Sequence, residues 1–294
     1  MQHTEPIADL HCHTWISDNT HSVEEVVKMA RKAGVTHLAI TDHDTTKGLD
    51  EAVGWGRKYG VDIIPGIEIS AFDRVRARRA HILGYEVEPG HPALERLCNP
   101  VLEQRRQASK EMVERINREG YAVTWEQVCR YAQNGTTVYK QHIMHALMDA
   151  GYCSEIYGEL EQRLFSRGGG GRPPGVAFVP MEYADAADAI RAVLAAGGVP
   201  VLAHPGQLGN FDAVEEWAAL GLQGIEAYHP SHSKEDVARC LTLAERFDLV
   251  VTGGSDFHGG YGDGKHALGS VNAGHESVVR LKEKKRALRQ SEIT

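Results

Sequence analysis

The chain lacks the features of disulfide-rich, membrane-spanning and polyanion-binding proteins. Its five cysteines are odd in number, widely spaced and without a CxxC pair, which is more typical of a reducing compartment than of a disulfide framework. No apolar run approaches the length of a membrane span, and the first residues contain no apolar signal region. The net charge of −8 argues against non-specific binding to a polyanion. We therefore expect a cytoplasmic protein without membrane contact.

What the chain does contain is a series of apolar runs that are joined to metal-ligand side chains. The first run, residues 7–14, contains His11 and His13. Two residues apart on a strand, these imidazoles point to the same face and can reach one cation. Five further runs have the same character and contain His43, Glu68, His81, His204, and Asp256 with His258. The simplest explanation of so many ligands is a multinuclear metal enzyme.

The order of the predicted elements indicates a parallel α/β fold with one interruption. Apolar β-rich runs alternate with helical patterns, and the candidate ligands recur at the length of a βα unit. This rhythm breaks between His81 and His204. There, residues 99–119 and 138–150 are predicted helices, a further helix is predicted to begin at residues 124–127, and residues 166–175 are a predicted flexible linker. We predict a barrel formed by residues 1–97 and 177–294, with a helical insertion at residues 98–176.

These motifs resemble those of the polymerase and histidinol phosphatase (PHP) family of metal-dependent phosphoesterases, in particular its stand-alone members with a helical insertion. The resemblance covers the whole chain. It implies a distorted seven-stranded (β/α) barrel with three metals at the carboxyl ends of the strands. The implied ligands are His11, His13, Glu68 and Asp256 for one metal, Glu68, His81 and His204 for a second, and Asp18, His43 and His258 for a third.

Phosphate ester chemistry explains these residue types. A site must neutralise the anionic phosphate oxygens and generate hydroxide at neutral pH, and clustered divalent ions do both. Mixed imidazole and carboxylate ligands suit transition metals better than calcium or magnesium. We expect three divalent ions, with Mn²⁺ first and Zn²⁺ or Fe²⁺ as alternatives, and a metal-bound hydroxide as the nucleophile. Asp42 and Asp44 beside His43 either orient imidazoles or are solvated loop carboxylates.

Several residues are candidates for binding the substrate. Arg105 and Arg106 lie on the first insertion helix and Lys140 opens a later one, where cationic side chains could hold an anion or remain ordinary exposed charges. His229 and His232 follow a predicted strand at the ligand-bearing end of the barrel. We predict that His229 and Asp256 are catalytic, that His229 contacts phosphate or protonates the leaving alcohol, and that His232 also binds substrate. The basic run at residues 74–79 is either a solvated loop or a phosphate contact.

The predicted function is hydrolysis of a small phosphorylated metabolite, such as a phosphoribosyl cyclic phosphate or a nucleoside 3',5'-bisphosphate, without a stable nucleic-acid complex. Residues 138–142 depart from an Arg-Pro-His stretch of nucleotide-cleaving relatives, so the leaving group can differ. One alternative is a 5'-3' exoribonuclease or oligonucleotide phosphoesterase. Others are a barrel amidohydrolase, which usually needs a mid-barrel lysine that no strand end here provides, and a non-catalytic metal-binding module. The sequence does not define the oligomeric state.

Overall fold

A twisted sheet of seven strands in one path forms the centre of the molecule. The computed structural model describes residues 6–262 and 266–291. The described strands are β1 (Ile7–Asp9), β2 (Val35–Ile40), β3 (Asp62–Asp73), β4 (Arg78–Tyr85), β5 (Ala184–Asp185), β6 (Val199–Leu202), β7 (Gly224–Tyr228) and β8 (Val250–Gly253). Their order is β1-β2-β3-β4-β6-β7-β8, with the two-residue strand β5 paired to β3 outside this path.

Backbone contacts between the two ends of this path close it into a barrel. The Leu10 N–H donates to the Gly253 carbonyl at 3.1 Å, and Cys12 forms a parallel bridge with Phe257. The predicted seven-stranded α/β barrel is therefore confirmed, but the expectation of a parallel sheet is wrong for one strand. Strand β4 runs antiparallel to both β3 and β6. The reason is the short turn between β3 and β4, because a parallel crossover needs a dozen or more connecting residues.

Helices cover the outside of the barrel and form the insertion. In the described part of the chain they are α1 (Val23–Lys32), α2 (Leu49–Tyr59), α3 (Pro92–Arg118), α4 (Trp125–Tyr131), α5 (Lys140–Asp149), α6 (Glu159–Phe165), α7 (Ala186–Ala195), α8 (Pro205–Leu208), α9 (Val214–Ala219), α10 (Lys234–Phe247) and α11 (His275–Ser291). Capping boxes at Ser22 and Thr124 begin α1 and α4. No helix within residues 6–262 and 266–291 combines the length and apolarity of a membrane span.

The long helix α3 belongs to both parts of the molecule. Leu94 and Cys98 near its start pack into the barrel core, whereas Met112 and Ile116 near its end pack into a separate insertion core. In the other direction, Tyr261 from the loop after β8 packs into the insertion core. The insertion is thus attached to the barrel through a shared helix and a shared loop. Since residue 98 lies inside α3, the division at residues 97/98 and 176/177 stays a prediction.

Candidate metal centre

The ends of the barrel strands bring the predicted ligands together through backbone hydrogen bonds. After β1, the carbonyl of His11 accepts from the Asp256 N–H at 2.8 Å, so the segments after β1 and β8 are held side by side. After β2, His43 forms a parallel bridge with Glu68 on β3. His81 on β4 pairs with Ser70 on β3, two residues beyond Glu68. Side chains two residues apart share a face of the sheet, so His81 and Glu68 point into the same space.

The backbone is strained at three positions around this mouth. Asp44, His204 and Asp256 have φ values of 58°, 24° and 51°, a backbone region that residues other than glycine rarely adopt. Such conformations cost roughly 1 to 3 kcal/mol each and concentrate at functional sites. Gly254 is required for a different reason, because a Cβ there would collide with the backbone nitrogen of His11. These loops therefore hold their side chains in the ligand cluster at a cost in backbone conformational energy.

The carboxylate of Glu68 lies at the centre of the cluster and is almost fully buried. One of its oxygens is 2.6 Å from His81 Nδ1 and 2.9 Å from His204 Nε2. The other oxygen is 3.2 Å from both His11 Nε2 and His43 Nδ1, and 3.3 Å from His13 Nε2. Five imidazoles thus surround one carboxylate, an arrangement suited to a bridging ligand.

Asp256 and Asp18 extend the cluster on one side. Asp256 Oδ1 lies 3.1 Å from both His13 Nε2 and His258 Nε2. Asp18 Oδ1 lies 3.3 Å from His258 Nδ1 and 3.7 Å from His13 Nδ1. These carboxylates and imidazoles continue the pattern around Glu68, so all nine predicted ligands lie at this mouth.

The spacing and the bonding of these atoms fit divalent ions. Ligand atoms about 2.1 Å from one ion lie about 3 to 3.4 Å from each other, as most of these pairs do. His11 Nε2, His43 Nδ1 and Asp18 Oδ1 are buried and have no hydrogen-bond partner among the described residues. A cation satisfies such atoms without a proton. The groups whose ligand atoms converge include His11, His13, Glu68 and Asp256; His43, Glu68 and His81; and His13, Asp18 and His43.

These groups partly match the ligand sets that the sequence suggested. The first group is the predicted set. The second contains His43 instead of His204, although His204 also lies beside Glu68. The third contains His13 instead of His258, although His258 also lies beside Asp18. The distribution of ligands among individual ions stays a prediction.

The electrostatics keep the carboxylates of the cluster ionised and divide its imidazoles into two groups. Burial raises the pKa of Glu68, but the neighbouring imidazoles, His43 first, outweigh it and hold this pKa well below its ordinary value. The same balance, with His11 as the largest lowering influence, keeps the pKa of Asp256 well below its ordinary value. Burial lowers the pKa of His43 strongly and that of His81 to about 4. Burial also lowers the pKa values of His11 and His258, but neighbouring carboxylates, Glu226 and Asp18 first, outweigh it and raise both pKa values well above the ordinary value. Metal binding at these two imidazoles therefore has to displace a proton.

Glu226 is a functional residue that the sequence analysis missed. It is fully buried in the middle of β7. Its Oε1 accepts from His11 Nδ1 at 3.1 Å, and its Oε2 accepts from the His204 N–H at 2.9 Å. Because it binds the nitrogen of His11 that faces away from Glu68, it can orient this ligand. Glu226, His11 and His229 also form a group whose ligand atoms converge. A single carboxylate inside an otherwise apolar strand was the available signal.

Asp42 and Asp44 are buried, and their hydrogen-bond partners in the described part of the chain are not imidazoles. Asp42 accepts from the Thr14 N–H at 2.8 Å and from the Ser17 hydroxyl at 2.6 Å. Asp44 accepts from the Arg105 guanidinium at 3.0 Å. The expectation of solvated loop carboxylates is therefore wrong. Orientation of imidazoles stays a prediction, supported for Asp42 by the Ser17 hydroxyl, which lies 3.4 Å from His13 Nδ1.

The cationic candidates on the insertion divide between the mouth and the surface. A cavity of about 210 Å³ at the ligand cluster is lined by Arg105 and Lys140. Arg105 also lies over the Tyr139 ring, with its guanidinium carbon 4.7 Å from the ring centre, and Lys140 pairs with Glu161 at 2.9 Å. Arg106 is exposed and lines neither this cavity nor its neighbours, so the structure does not bring it to the site.

His229 and His232 have different environments. His229 Nδ1 lies 2.7 Å from the Ser231 hydroxyl and 3.1 Å from the Ser231 nitrogen, and its Nε2 lies 3.3 Å from Asp256 Oδ2. His229 therefore presents its Nε2 at the edge of the ligand cluster. His232 Nε2 accepts from the Gly206 N–H, and its Nδ1 donates to the Ala227 carbonyl. Both nitrogens of His232 are thus occupied by backbone groups, and this residue holds two loops together.

The arginines of the basic run at residues 74–79 also lie in two different environments. Arg76 and Arg78 pair with Asp212 on the surface, and Arg74 lies 3.5 Å from Asp185. Arg79 alone in this run turns to the mouth, where it donates to His81 Nε2 at 2.7 Å. The run is therefore mainly a surface ion-pair network with one member at the site.

A closed α/β barrel with buried carboxylates and imidazoles at its mouth defines the class of metal-dependent hydrolases. Comparison with known proteins narrows this class. The family model of the PHP domain matches residues 9–200, and the chain belongs to this family. Its relatives act on phosphate esters, and this chain is accordingly a hydrolase of phosphate esters.

Several relatives cover most of the chain, and three of them illustrate the range. A phosphoribosyl 1,2-cyclic phosphate 1,2-diphosphodiesterase of Eggerthella lenta is 44% identical over 88% of this chain and 97% of its own length. A 3',5'-nucleoside bisphosphate phosphatase of Chromobacterium violaceum is 30% identical over 85% of this chain and 86% of its own. A crystal structure from Bifidobacterium adolescentis, assigned as a metal-dependent phosphoesterase, has 30% identity and a TM-score of 0.86 over 96% of this chain and 98% of that one.

Proposed function

We propose that this chain hydrolyses a phosphate ester of a small phosphorylated metabolite of the ribose phosphate or nucleotide class, with three divalent ions bound at the barrel mouth. The observation that carries the proposal is the position of Glu68 among five imidazoles, with buried ligand atoms that lack hydrogen-bond partners. Bound divalent ions would neutralise the phosphate oxygens and lower the pKa of a water molecule. We place Mn²⁺ first among the candidate metals.

His229 supplies the proton for the leaving alcohol in this proposal. The imidazolium form of His229 does this: its Nδ1–H donates to the Ser231 hydroxyl, 2.7 Å away, and transfer of the Nε2 proton at the edge of the cluster leaves a neutral imidazole. Asp256 lies 3.3 Å from that nitrogen and holds the ring in place while it also serves as a ligand. A group that protonates the leaving oxygen is needed because an alkoxide is a poor leaving group.

Arg79, Arg105 and Lys140 bind the substrate anion beside the metal ligands. All three line the same cavity as Glu68. Guanidinium groups bind phosphate oxygens in a bidentate manner, whereas an ammonium acts as a point charge. The positive charges of these three residues therefore complement the substrate anion. The carboxylates at the ends of the barrel strands complement the metal ions.

The relatives favour a cyclic sugar phosphate over a nucleotide as the substrate. The diphosphodiesterase is 44% identical to this chain, whereas the bisphosphate phosphatase is 30% identical. A barrel amidohydrolase is disfavoured, because the lysine that lines the mouth cavity, Lys140, belongs to the insertion and pairs with Glu161.

Phosphate release from a substrate panel tests this function. The panel contains phosphoribosyl 1,2-cyclic phosphate, a nucleoside 3',5'-bisphosphate, histidinol phosphate and short RNAs, each with Mn²⁺. We expect the cyclic phosphate or the bisphosphate to give the highest kcat/KM. If only the short RNAs react, the small-metabolite proposal is wrong, and the chain is an exoribonuclease.

A further inference from the structure

The start of the insertion helix α5 lies against the two barrel loops that carry Asp18 and His43. The amide nitrogen of Gln141, the second residue of this helix, donates to Asp18 Oδ2 at 3.2 Å. The hydroxyl of Tyr139, the residue before the helix, donates to the His43 carbonyl at 3.3 Å. Both bonds cross from the insertion to the barrel. The insertion therefore contacts a ligand side chain and the backbone of a second ligand.

The two carboxylate oxygens of Asp18 have different partners. Oδ2 accepts from Gln141, whereas Oδ1 is enclosed and has no hydrogen-bond partner within residues 6–262 and 266–291. Oδ1 instead lies 3.3 Å from His258 Nδ1, a nitrogen that is bonded to the Asp18 carbonyl. A carboxylate that is held by one oxygen keeps the other directed at a cation. Gln141 is thus placed to aim Asp18 Oδ1 into the ligand cluster.

The amide of Gln141 is itself fixed in orientation. A glutamine amide nitrogen carries two N–H groups. In addition to Asp18, this nitrogen lies 3.2 Å from the hydroxyl oxygen of Tyr157, in the loop that follows α5. Each N–H of Gln141 therefore has an acceptor, one on the barrel and one on the insertion. The side chain also lines the cavity at the ligand cluster, so it lies beside the metal ligands rather than on the outer surface.

The backbone of the loop before Asp18 rests on the insertion as well. The N–H and the hydroxyl of Thr136 both donate to the Ile16 carbonyl, at 2.9 and 3.1 Å. A Cβ at Gly135 would lie 2.9 Å from the Trp15 carbonyl oxygen, closer than van der Waals contact allows. The insertion therefore holds this loop at its backbone and, through Gln141, at its ligand side chain.

The ligands around Glu68 are held differently, through contacts within the barrel. His81 lies on β4, which pairs along its length with β3, the strand of Glu68. The His204 N–H donates to the Glu226 carboxylate on β7 at 2.9 Å. Hydrogen bonds behind a ligand orient it and strengthen metal binding. The two parts of the ligand cluster therefore depend on different parts of the fold.

We propose that Gln141 is a positioning residue for one metal ion, the one bound at Asp18 and His43, which we call the Asp18 ion. The insertion sets the affinity for this ion, whereas the ions at Glu68 are held through barrel contacts. This inference rests on the proposed function with its three ions and deepens it, because it separates the ions by what holds them. The insertion then completes the metal site in addition to contacting the substrate anion.

Equilibrium dialysis against Mn²⁺, with metal analysis of each sample, tests the inference. Gln141→Met keeps the length of the side chain but removes both N–H groups. We expect two ions to bind with wild-type affinity and the third to bind about tenfold to a hundredfold more weakly. The matched control Gln133→Met changes an exposed glutamine in the loop before α5 and should bind three ions as the wild type does. Tyr139→Phe should weaken the same single ion by a smaller factor, because its bond reaches only the backbone of a ligand.

Selective loss of one ion distinguishes positioning from a merely structural role of Gln141. A structural role would weaken all three ions alike, and that result would overturn the inference. Phosphate release at saturating Mn²⁺ should recover to near the wild-type kcat in Gln141→Met. Wild-type affinities for all three ions in Gln141→Met, with phosphate ester hydrolysis by the wild type, would overturn the inference and leave the proposed function intact. Conversely, selective loss of one ion in a protein whose wild type hydrolyses no phosphate ester would support the inference and refute the proposed function.

Discussion

The barrel wall and the insertion wall of the mouth carry opposite charges. The barrel contributes buried carboxylates and imidazoles, with Glu68 at their centre, whereas the insertion contributes Arg105 and Lys140. A site that must hold cations and an anionic substrate together needs both kinds of group, and here each comes from a different part of the fold. Arg79 is the exception, since it is a barrel residue that faces the insertion.

The two walls also differ in how firmly their groups are fixed. The barrel ligands lie on segments held by backbone hydrogen bonds, such as that between the Asp256 N–H and the His11 carbonyl. The insertion is joined to the barrel through α3 and through Tyr261. Changes in the barrel wall should therefore abolish chemistry, whereas changes in the insertion should alter stability, substrate preference or the affinity for one of the ions.

The largest effect is expected for the centre of the barrel wall. Glu68→Gln keeps the shape of the side chain but removes the charge that faces five imidazoles, so turnover should fall by about a thousandfold or more with metal in excess. Phosphate release measures the loss, and circular dichroism checks that the fold survives. Glu111→Gln, on an exposed face of the insertion, is the matched control and should behave as wild type. Near-normal turnover of metal-saturated Glu68→Gln would refute the bridging role.

A smaller effect is expected for Glu226, which contacts the ligand His11. Glu226→Gln weakens the bond that orients His11, so the affinity for Mn²⁺ should fall about tenfold to a hundredfold. Metal titration followed by phosphate release measures this change, and excess Mn²⁺ should restore much of the activity. If excess metal restores none of it, Glu226 has a role other than orienting the ligand.

The insertion should show its own dependence on pH through His142. Burial lowers the pKa of His142 to about 4, from the ordinary 6.5. The unfolded chain therefore takes up a proton between pH 6.5 and 4 that the folded chain excludes. The stability due to neutral His142 is complete above pH 6.5 and is lost as the pH falls toward 4, by about 2 kcal/mol at pH 4.5 to 5.

The variant His142→Asn isolates this contribution. An asparagine oxygen can accept from the Tyr139 N–H, as His142 Nδ1 does, but it does not titrate. Urea unfolding at pH 7 and pH 4.5 should therefore give a smaller loss of stability for the variant than for the wild type. Equal losses in the two proteins would place the titrating group elsewhere.

The smallest effect is expected where the two walls meet. Tyr261→Phe removes the hydrogen bond between the Tyr261 hydroxyl and His145 Nδ1, which measures 3.1 Å. The free energy of unfolding should fall by about 1 kcal/mol, because one buried hydrogen bond is lost. Urea unfolding measures it. Unchanged stability would mean that this contact does not help to fix the insertion.

The spacing of residues in the sequence predicted the cluster of metal-ligand side chains better than it predicted the residues that bind the substrate. His11 and His13 could be assigned to one face because strand geometry has a period of two. The antiparallel direction of β4 depends on the length of a turn, and the role of Glu226 depends on the strand beside it, so neither was predicted. On α3, the buried residues Val101 and Ser109 lie four positions on either side of Arg105, which distinguishes it from the exposed Arg106. Burial on that helix was needed to choose between them.

The most direct test of the central claim measures metal content and phosphate release on the same samples. Chelator-treated protein is reloaded stepwise with Mn²⁺, and each sample is analysed for bound metal and for hydrolysis of phosphoribosyl 1,2-cyclic phosphate. We predict negligible turnover without metal, a rise that follows occupancy of the site, and no such rise in Glu68→Gln. Full turnover at trace metal content would contradict the account.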